Sequence, residues 1–337
     1  MTKQITLAHG NGGGAMQSLI SGLFVSAFDN PLLAAGEDQA RLPLDALTEA
    51  GDRLAFTTDS YVIDPLFFPG GDIGKLAVCG TANDLAVGGA TPRWLSCGFI
   101  LEEGLPLTTL EAVVRSMAET ARDAGMQIVT GDTKVVPRGA ADKLFINTAG
   151  LGMIPAGVDW GVKAIRPGDR IIVSGTLGDH GATLLNLREN LGMQTDLASD
   201  CAVLAPMIAA LRNIAGVRAL RDATRGGVTA IMHEFARGSG CGMLIEETAL
   251  PIKPAVRGVC ELLGLEALNF ANEGKLLVAV EPGAEQRVLQ ALRRHPLGGG
   301  ACTIGEATHD GQVRLRGPYG IVRLLDLPHD EPLPRIC

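Results

Sequence analysis

The sequence predicts an α+β protein of two units followed by a flexible carboxy-terminal tail. Apolar stretches with strand-like and helix-like periods alternate on both sides of residues 154–169. That junction, with Pro155, Gly157, Gly161, Pro167 and Gly168, breaks every periodicity. A chain of 337 residues also suits two domains at roughly 150 residues each. The expected organisation is a glycine-loop segment (1–40), a first unit (41–155), a second unit (165–327) and a mobile tail (328–337).

In order along the chain, residues 4–7 read as extended and lead into His9-Gly10-Asn11-Gly12-Gly13-Gly14, then a helical pattern over 15–28. Strand, glycine loop, helix is an order that cradles phosphates. Gly10-x-Gly12-x-x-Ala15 also mimics a dinucleotide fingerprint, but no alternating strand–helix continuation supports it. No Walker-type P-loop occurs. The first unit reads as strand 54–58, helix 74–87, strand 94–101, helix 110–124 and strands 127–130 and 144–153. In the helix over 110–124, Thr108 and Glu111 form a capping-box pattern. Leu110, Val113, Val114, Met117 and Ala121 mark one face, and Gly125 ends it. The second unit reads as strands 170–174, 242–247, 275–280 and 312–315, with helices near 181–191, 203–215, 226–238, 254–263 and 284–294.

Composition narrows the function classes. With 46% hydrophobic and 20% charged residues the chain is globular. The net charge of −8, uninterrupted by any Lys/Arg cluster, argues against a nucleic-acid surface and an anionic membrane partner. No apolar run reaches the ~18 residues of a membrane span, and the amino terminus lacks a signal pattern, so a cytoplasmic location is expected. Seven cysteines without a C-x-x-C pair fit a reducing compartment, with six expected as buried small hydrophobes and Cys337 as the exception. Glycine is abundant, 44 residues, as loops that wrap phosphates require.

Acids recur at turns of the first unit: Asp38 in Gly36-Glu37-Asp38-Gln39-Ala40, Asp59 in Thr57-Thr58-Asp59-Ser60, Asp84 in Thr81-Ala82-Asn83-Asp84-Leu85 and Asp132 in Thr130-Gly131-Asp132-Thr133-Lys134. Any one could be an ordinary turn residue. Together they suit a metal-bridged nucleotide, because Mg²⁺ takes a few carboxylates plus phosphate oxygens. Arg221-Asp222-Ala223-Thr224-Arg225-Gly226-Gly227 adds another acid and two arginines before a helix start able to hold an anion or merely to be capped. Glu273 precedes an apolar strand. Pro328, Pro332 and Pro334 hold the tail extended, so its terminal thiol could reach roughly 30 Å or simply fray. Arg335 would lower the pKa of Cys337, and a terminal carboxylate would raise it.

Over essentially the whole chain these residues resemble the HypE family, the carbamoyl dehydratases of nickel-iron hydrogenase maturation, within the aminoimidazole-ribonucleotide-synthetase-like (PurM-like) superfamily of ATP-using enzymes. The resemblance is carried by His9-Gly10-Asn11-Gly12-Gly13, Thr57-Thr58-Asp59-Ser60, Asn83-Asp84-Leu85-Ala86, Gly131-Asp132-Thr133-Lys134-Val135, Arg221 to Gly227, Asn272-Glu273-Gly274 and the terminal Pro334-Arg335-Ile336-Cys337. Asn11 departs from the glycine of many relatives. The resemblance implies a two-domain PurM-like architecture whose first domains pair into a homodimeric β-barrel. It implies that the carbamoyltransferase HypF loads a carboxamide onto Cys337, that ATP drives its dehydration to an S-cyanate, and that a HypC–HypD complex accepts the cyano group on iron. By the same resemblance Glu273 is the general base and Lys134 a second base or an orienting group. Asp38, Asp59, Asp84 and Asp222 are then Mg²⁺ ligands, some from the other subunit, and Gly10, Asn11, Gly12, Gly13, Thr58, Asn83, Gly131 and Asp132 complete the ATP site.

Two other readings compete. A selenophosphate synthetase would carry a reactive Cys in the glycine loop, which has none here, and a thiamine-phosphate kinase has no use for a terminal thiol. A scaffold or metal chaperone docking through Cys337 would need further ligands, and no other Cys or His lies within four residues of it.

Overall fold

The structure is a computed structural model and describes residues 4–193, 196–328, 333 and 335–337. Pro332 and Pro334 of the tail lie outside the described residues. Gln4, expected in a strand, makes only an isolated bridge to Pro106, and a 3-10 turn, Leu7–Gly10, follows. The predicted helix over 15–28 is present as consecutive turns, Gly14–Leu19, Ile20–Val25 and Ser26–Phe28.

The first unit is a four-stranded sheet of β1 (Arg53–Tyr61), β2 (Thr91–Glu102), β3 (Gln127–Val136) and β4 (Leu144–Ile154), in the order β1-β4-β2-β3. Only β2 and β3 run parallel. Helix α1 (Ile73–Val87) is buried along almost its whole length. An apolar helix without a polar face must be covered all round, and here the sheet, helix α2 (Leu107–Asp123) and the second unit cover it. The Asp72 carboxylate caps α1, accepting from the Gly74 amide at 2.7 Å. Helix α2 buries the predicted face, but it starts at Leu107 after Pro106, so Thr108 lies inside the first turn and the expected capping box is absent. Along β1, Ala55, Thr57, Asp59 and Tyr61 are more covered than their neighbours, whereas Leu54 and Phe56 stay 55% and 67% exposed.

The second unit is a seven-stranded sheet of β5 (Arg170–Val173), β6 (Val217–Asp222), β7 (Gly242–Glu246), β8 (Leu276–Val280), β9 (Cys302–Thr308), β10 (Val313–Arg316) and β11 (Val322–Leu324), in the order β11-β10-β7-β9-β5-β8-β6. Helices α3 (Asp179–Arg188), α4 (Gly227–Ser239), α5 (Pro254–Leu263) and α6 (Glu285–Arg293) accompany it. The sequence reading lacked β6, β9 and β11. Two arginines and an aspartate mask the apolar alternation of β6, β9 carries Gly305 at a register shift, and β11 is an exposed edge. The helix expected over 203–215 shrinks to Ala205–Ala209. Of the six cysteines expected in the core, Cys79, Cys97, Cys201 and Cys241 are buried, while Cys260 and Cys302 are only half-buried.

The units are tied together at Asn83 on α1. Its side-chain amide donates to the Ala202 carbonyl at 3.0 Å, and its oxygen accepts from the Leu204 amide at 2.8 Å. The join places the carboxyl end of β6 and the turn before β8 against β1 and α1.

Candidate active site

At that join lies a cavity of about 280 Å³ lined by acids from both units, with Cys337 in its wall. Asp59 comes from β1, and Asp84 comes from α1 with Thr57 Oγ1 donating to it at 3.0 Å. Asp222 ends β6 opposite Leu276 of β8, and Glu273 sits in the turn just before β8, so pairing of these two strands brings their acids to one end of the sheet. Asp200 fixes the turn: its carboxylate accepts from the Glu273 and Gly274 amides, each at 3.1 Å, and from Lys275 Nζ at 3.1 Å. Glycine is required at 274, where a Cβ would lie 1.9 Å from the Asp200 carbonyl oxygen.

The electrostatics follow from crowding carboxylates out of water. Glu273 is 3% exposed and its Oε1 has no hydrogen-bond partner. Burial first, then the charges of Asp200, Asp222 and Asp59, holds its carboxyl well above the usual carboxylate range. Burial and the neighbouring Asp84 push Asp222 up to about 7. Burial also raises Asp84, against the bond from Thr57. The cation facing them is Arg225, paired with Asp59 at 3.3 Å. Such a site favours a bound cation. Its hard oxygen donors fit Mg²⁺, and since no three described His, Cys, Asp or Glu side chains form a metal cluster, phosphate oxygens would have to complete the coordination.

The tail enters this cavity. Its terminal carbonyl oxygen accepts from the Val62 amide at 2.9 Å, and the thiol meets the Arg225 guanidinium. Burial, then Glu273, pushes the Cys337 thiol up to about 12, with Arg225 acting in the opposite direction. Arg335, expected to act on the thiol, points away, bonding the Val62 carbonyl at 2.8 Å and Asp142 at 2.7 Å.

The remaining sequence-derived residues lie elsewhere. Gly131, Asp132 and Lys134 are on β3, the opposite edge strand. The registers Asp59 to Thr148, Thr148 to Cys97 and Cys97 to Gly131 count three strand spacings, roughly 14 Å. Lys134 is exposed and paired with Asp132 at 2.9 Å. Gly10 packs on β3, where a Cβ would lie 2.9 Å from the Val135 nitrogen, so the loop with exposed Asn11, Gly12 and Gly13 flanks the same edge. Asp38 is exposed on a loop and Asn83 serves the inter-unit bonds; neither lines the cavity. Thr58 lines it and donates to the Thr148 carbonyl at 2.8 Å. Sequence reasoning missed Asp200, whose contacts with residues 273–275 are far along the chain, and Tyr61, which lines the cavity. Arg225 was visible beside Asp222 but not assigned.

A two-unit fold with acids converging at its join defines a class. The AIR synthase related N-terminal domain matches residues 36–154 and the C-terminal domain residues 166–317, so the chain belongs to the AIR synthase related proteins. Carbamoyl dehydratase HypE of Escherichia coli K12 is 70% identical over 333 residues, covering 99% of each chain. A crystal structure of a hydrogenase maturation protein HypE in complex with ATP aligns with a TM-score of 0.93 at 46% identity, covering 98% of this chain and 99% of that one. The structure of a HypE–HypF complex aligns with a TM-score of 0.80 at 43% identity, covering 92% and 100%. Within its class the chain belongs to the HypE family.

Proposed function

We propose that this chain is an ATP-dependent carbamoyl dehydratase that converts an S-carboxamide on its own Cys337 to an S-cyanate, a step in nickel-iron hydrogenase maturation. The observation that carries the reading is the placement of the Cys337 thiol in one cavity with the buried, unpartnered Glu273 carboxyl and with Asp59, Asp84 and Asp222.

The reaction removes an amide oxygen, a very poor leaving group. The oxygen attacks the γ-phosphorus of ATP and displaces ADP; the C–O bond then breaks, phosphate departs with that oxygen, and the nitrogen forms C≡N. Both N–H protons leave along the way. Glu273, whose ionised form would be favoured once Mg²⁺ offsets the neighbouring carboxylates, takes a proton at Oε1, the oxygen with nothing else to bond. Arg225 holds the sulfur end of the substrate. Asp59, Asp84 and Asp222 would hold Mg²⁺, which supplies neutralisation of the triphosphate and of the crowded carboxylates.

Lys134, Asp132, Gly131 and the loop with Gly10, Asn11, Gly12 and Gly13 complete the site from a second subunit, with Asp38 and Thr58 beside the nucleotide. Support comes from β1 and β3 being opposite edges of one sheet, and from Leu54 and Phe56 lying exposed on β1. Pairing two such sheets joins the half-sites and covers the apolar residues. The carboxamide donor is a HypF carbamoyltransferase, the partner in the relative's complex, and the acceptor is a HypC–HypD complex. The donors beside the Cys337 thiol are hard carboxylate oxygens, with no His or second Cys among the cavity's lining residues, which disfavours the chaperone reading.

The test is intact-protein mass spectrometry of the chain incubated with carbamoyltransferase, carbamoyl phosphate and Mg-ATP, beside Cys337→Ala. A carboxamide on the tail that loses one water only with hydrolysable ATP is expected. A loaded tail that never dehydrates while ATP still binds would refute the enzyme reading.

A further inference from the structure

The tail is held by more than its sulfur, and the groups that hold it lie outside the acid cavity. Three successive carbonyl oxygens of the tail each meet a donor. The Arg188 guanidinium donates to Arg335 O, His180 Nε2 donates to Ile336 O at 2.8 Å, and the Val62 amide donates to Cys337 O at 2.9 Å. Leu333 and Ile336, 3% and 2% exposed, sink into the apolar core that the first unit shares with α3 and α5. Gly181 leaves room for Leu333, since a Cβ there would stand 3.3 Å from Leu333 Cδ1 and 2.8 Å from Phe270.

His180 is built for this one bond. A carbonyl oxygen can only accept, so Nε2 carries the hydrogen. Nδ1 faces Ser199 Oγ at 2.7 Å, and that oxygen already accepts from the Cys201 amide at 3.1 Å. The hydroxyl hydrogen is therefore free to go to Nδ1, which fixes the neutral tautomer whose donor points at the tail. The ring is fully buried, with Phe68 edge-on at 5.5 Å. Arg188 is likewise anchored, donating through Nε to the Asp64 carbonyl.

We propose that His180, oriented by Ser199, and Arg188 are positioning residues that form a receiver for the tail main chain. The receiver docks Cys337 for dehydration and opposes its release for loading. The inference rests on the carrier reading of Cys337 and adds the groups that set how long the thiol stays. Because it reads carbonyls, the receiver accepts the tail whatever the Cys337 sulfur carries.

The experiment uses the full chain as wild type, Arg188→Ala, Ser199→Ala, His180→Gln and His180→Ala. One arm measures iodoacetamide alkylation of Cys337, read on the carboxy-terminal peptide. The other measures carboxamide loading and ATP-driven dehydration as separate rates. Losing one net hydrogen bond should raise Cys337 alkylation about five-fold. Loading should stay at or above the wild-type rate while dehydration slows by a similar factor. His180→Gln, which keeps an N–H donor, should fall between wild type and His180→Ala. Unchanged alkylation in Arg188→Ala and Ser199→Ala, or loading and dehydration slowing together, would overturn the receiver. If His180→Ala does not fold, Arg188→Ala and Ser199→Ala decide it. A wild type that loads without dehydrating would sink the carrier reading, and the alkylation arm would still judge the receiver.

Discussion

Replacing Glu273 by glutamine isolates the proposed base. The exchange keeps shape and removes a carboxyl that is 3% exposed, with Oε1 unpartnered and with Asp200, Asp222 and Asp59 raising its pKa. General-base help is worth about 10²- to 10⁴-fold, or about 3–5 kcal/mol in the barrier, and dehydration of the loaded tail should fall by that factor. Stability should not fall, because a buried group that resists ionisation gives way to a neutral one. Glu273 is also the second cause, after burial, of the raised Cys337 pKa. Its removal should lower that pKa and speed alkylation of Cys337 at a fixed alkaline pH. The assay is single-turnover mass spectrometry of pre-loaded protein with Mg-ATP, alongside thermal unfolding. Dehydration within about three-fold of wild type, on folded and fully loaded protein, would refute Glu273 as the base and with it the argument from its unpartnered oxygen.

Other expectations follow from the same geometry. In Asp222→Asn, metal-free protein should lose the pH dependence that Asp222 confers. A carboxyl raised from 3.8 to about 7 favours folding fully below its unfolded pKa and loses that contribution as pH rises through about 7. The contribution changes by about 1.4 kcal/mol per pH unit below about pH 7, so urea unfolding with chelator should show a loss on the order of 3 kcal/mol between about pH 5 and about pH 8 in wild type, and correspondingly less in Asp222→Asn. Phe56→Asp puts a charge on the exposed apolar edge of β1, so sedimentation should show folded monomer without dehydratase activity. Mixing Lys134→Ala with Glu273→Gln should restore activity if the two half-sites come from different chains; inert mixtures in which subunits demonstrably exchange would count against the shared site. Gly274→Ala drives a Cβ to within 1.9 Å of the Asp200 carbonyl oxygen, and thermal unfolding should report a loss of about 1–3 kcal/mol with reduced dehydration.

Much of this protein was legible along the chain. Leu110, Val113, Val114, Met117 and Ala121 recur at helical spacing and form the buried face of α2, and Gly125 at φ +67° ends that helix. Asp59, Asp84, Asp222 and Glu273 were marked by their small polar neighbours, their strand-edge contexts and the family resemblance. Asp59 and Asp84, expected at turns, nevertheless lie inside β1 and α1, where strand pairing and helix packing take in the short polar segments that read as turns. The strands β6, β9 and β11 were not, because charge, a bulge glycine and edge exposure each erase the alternation on which a strand reading depends.

What only the tertiary structure decided is which of these residues meet. Two acids from the first unit and two from the second share one cavity, while Asp132 and Lys134, equally prominent in sequence, sit across the sheet on its far edge. Asn83 carries a superfamily motif yet its side chain links the two units. His180 and Arg188 carry no local signal at all, since their partners lie at residues 336 and 335, and Ser199 enters only through its bond to His180. The physical reason is that periodicity and turn chemistry act over a few residues, whereas burial and the field of neighbouring charges are set by what packs through space. The sequence by itself determined the chemical groups and the elements bearing them; packing determined which of those groups became a site.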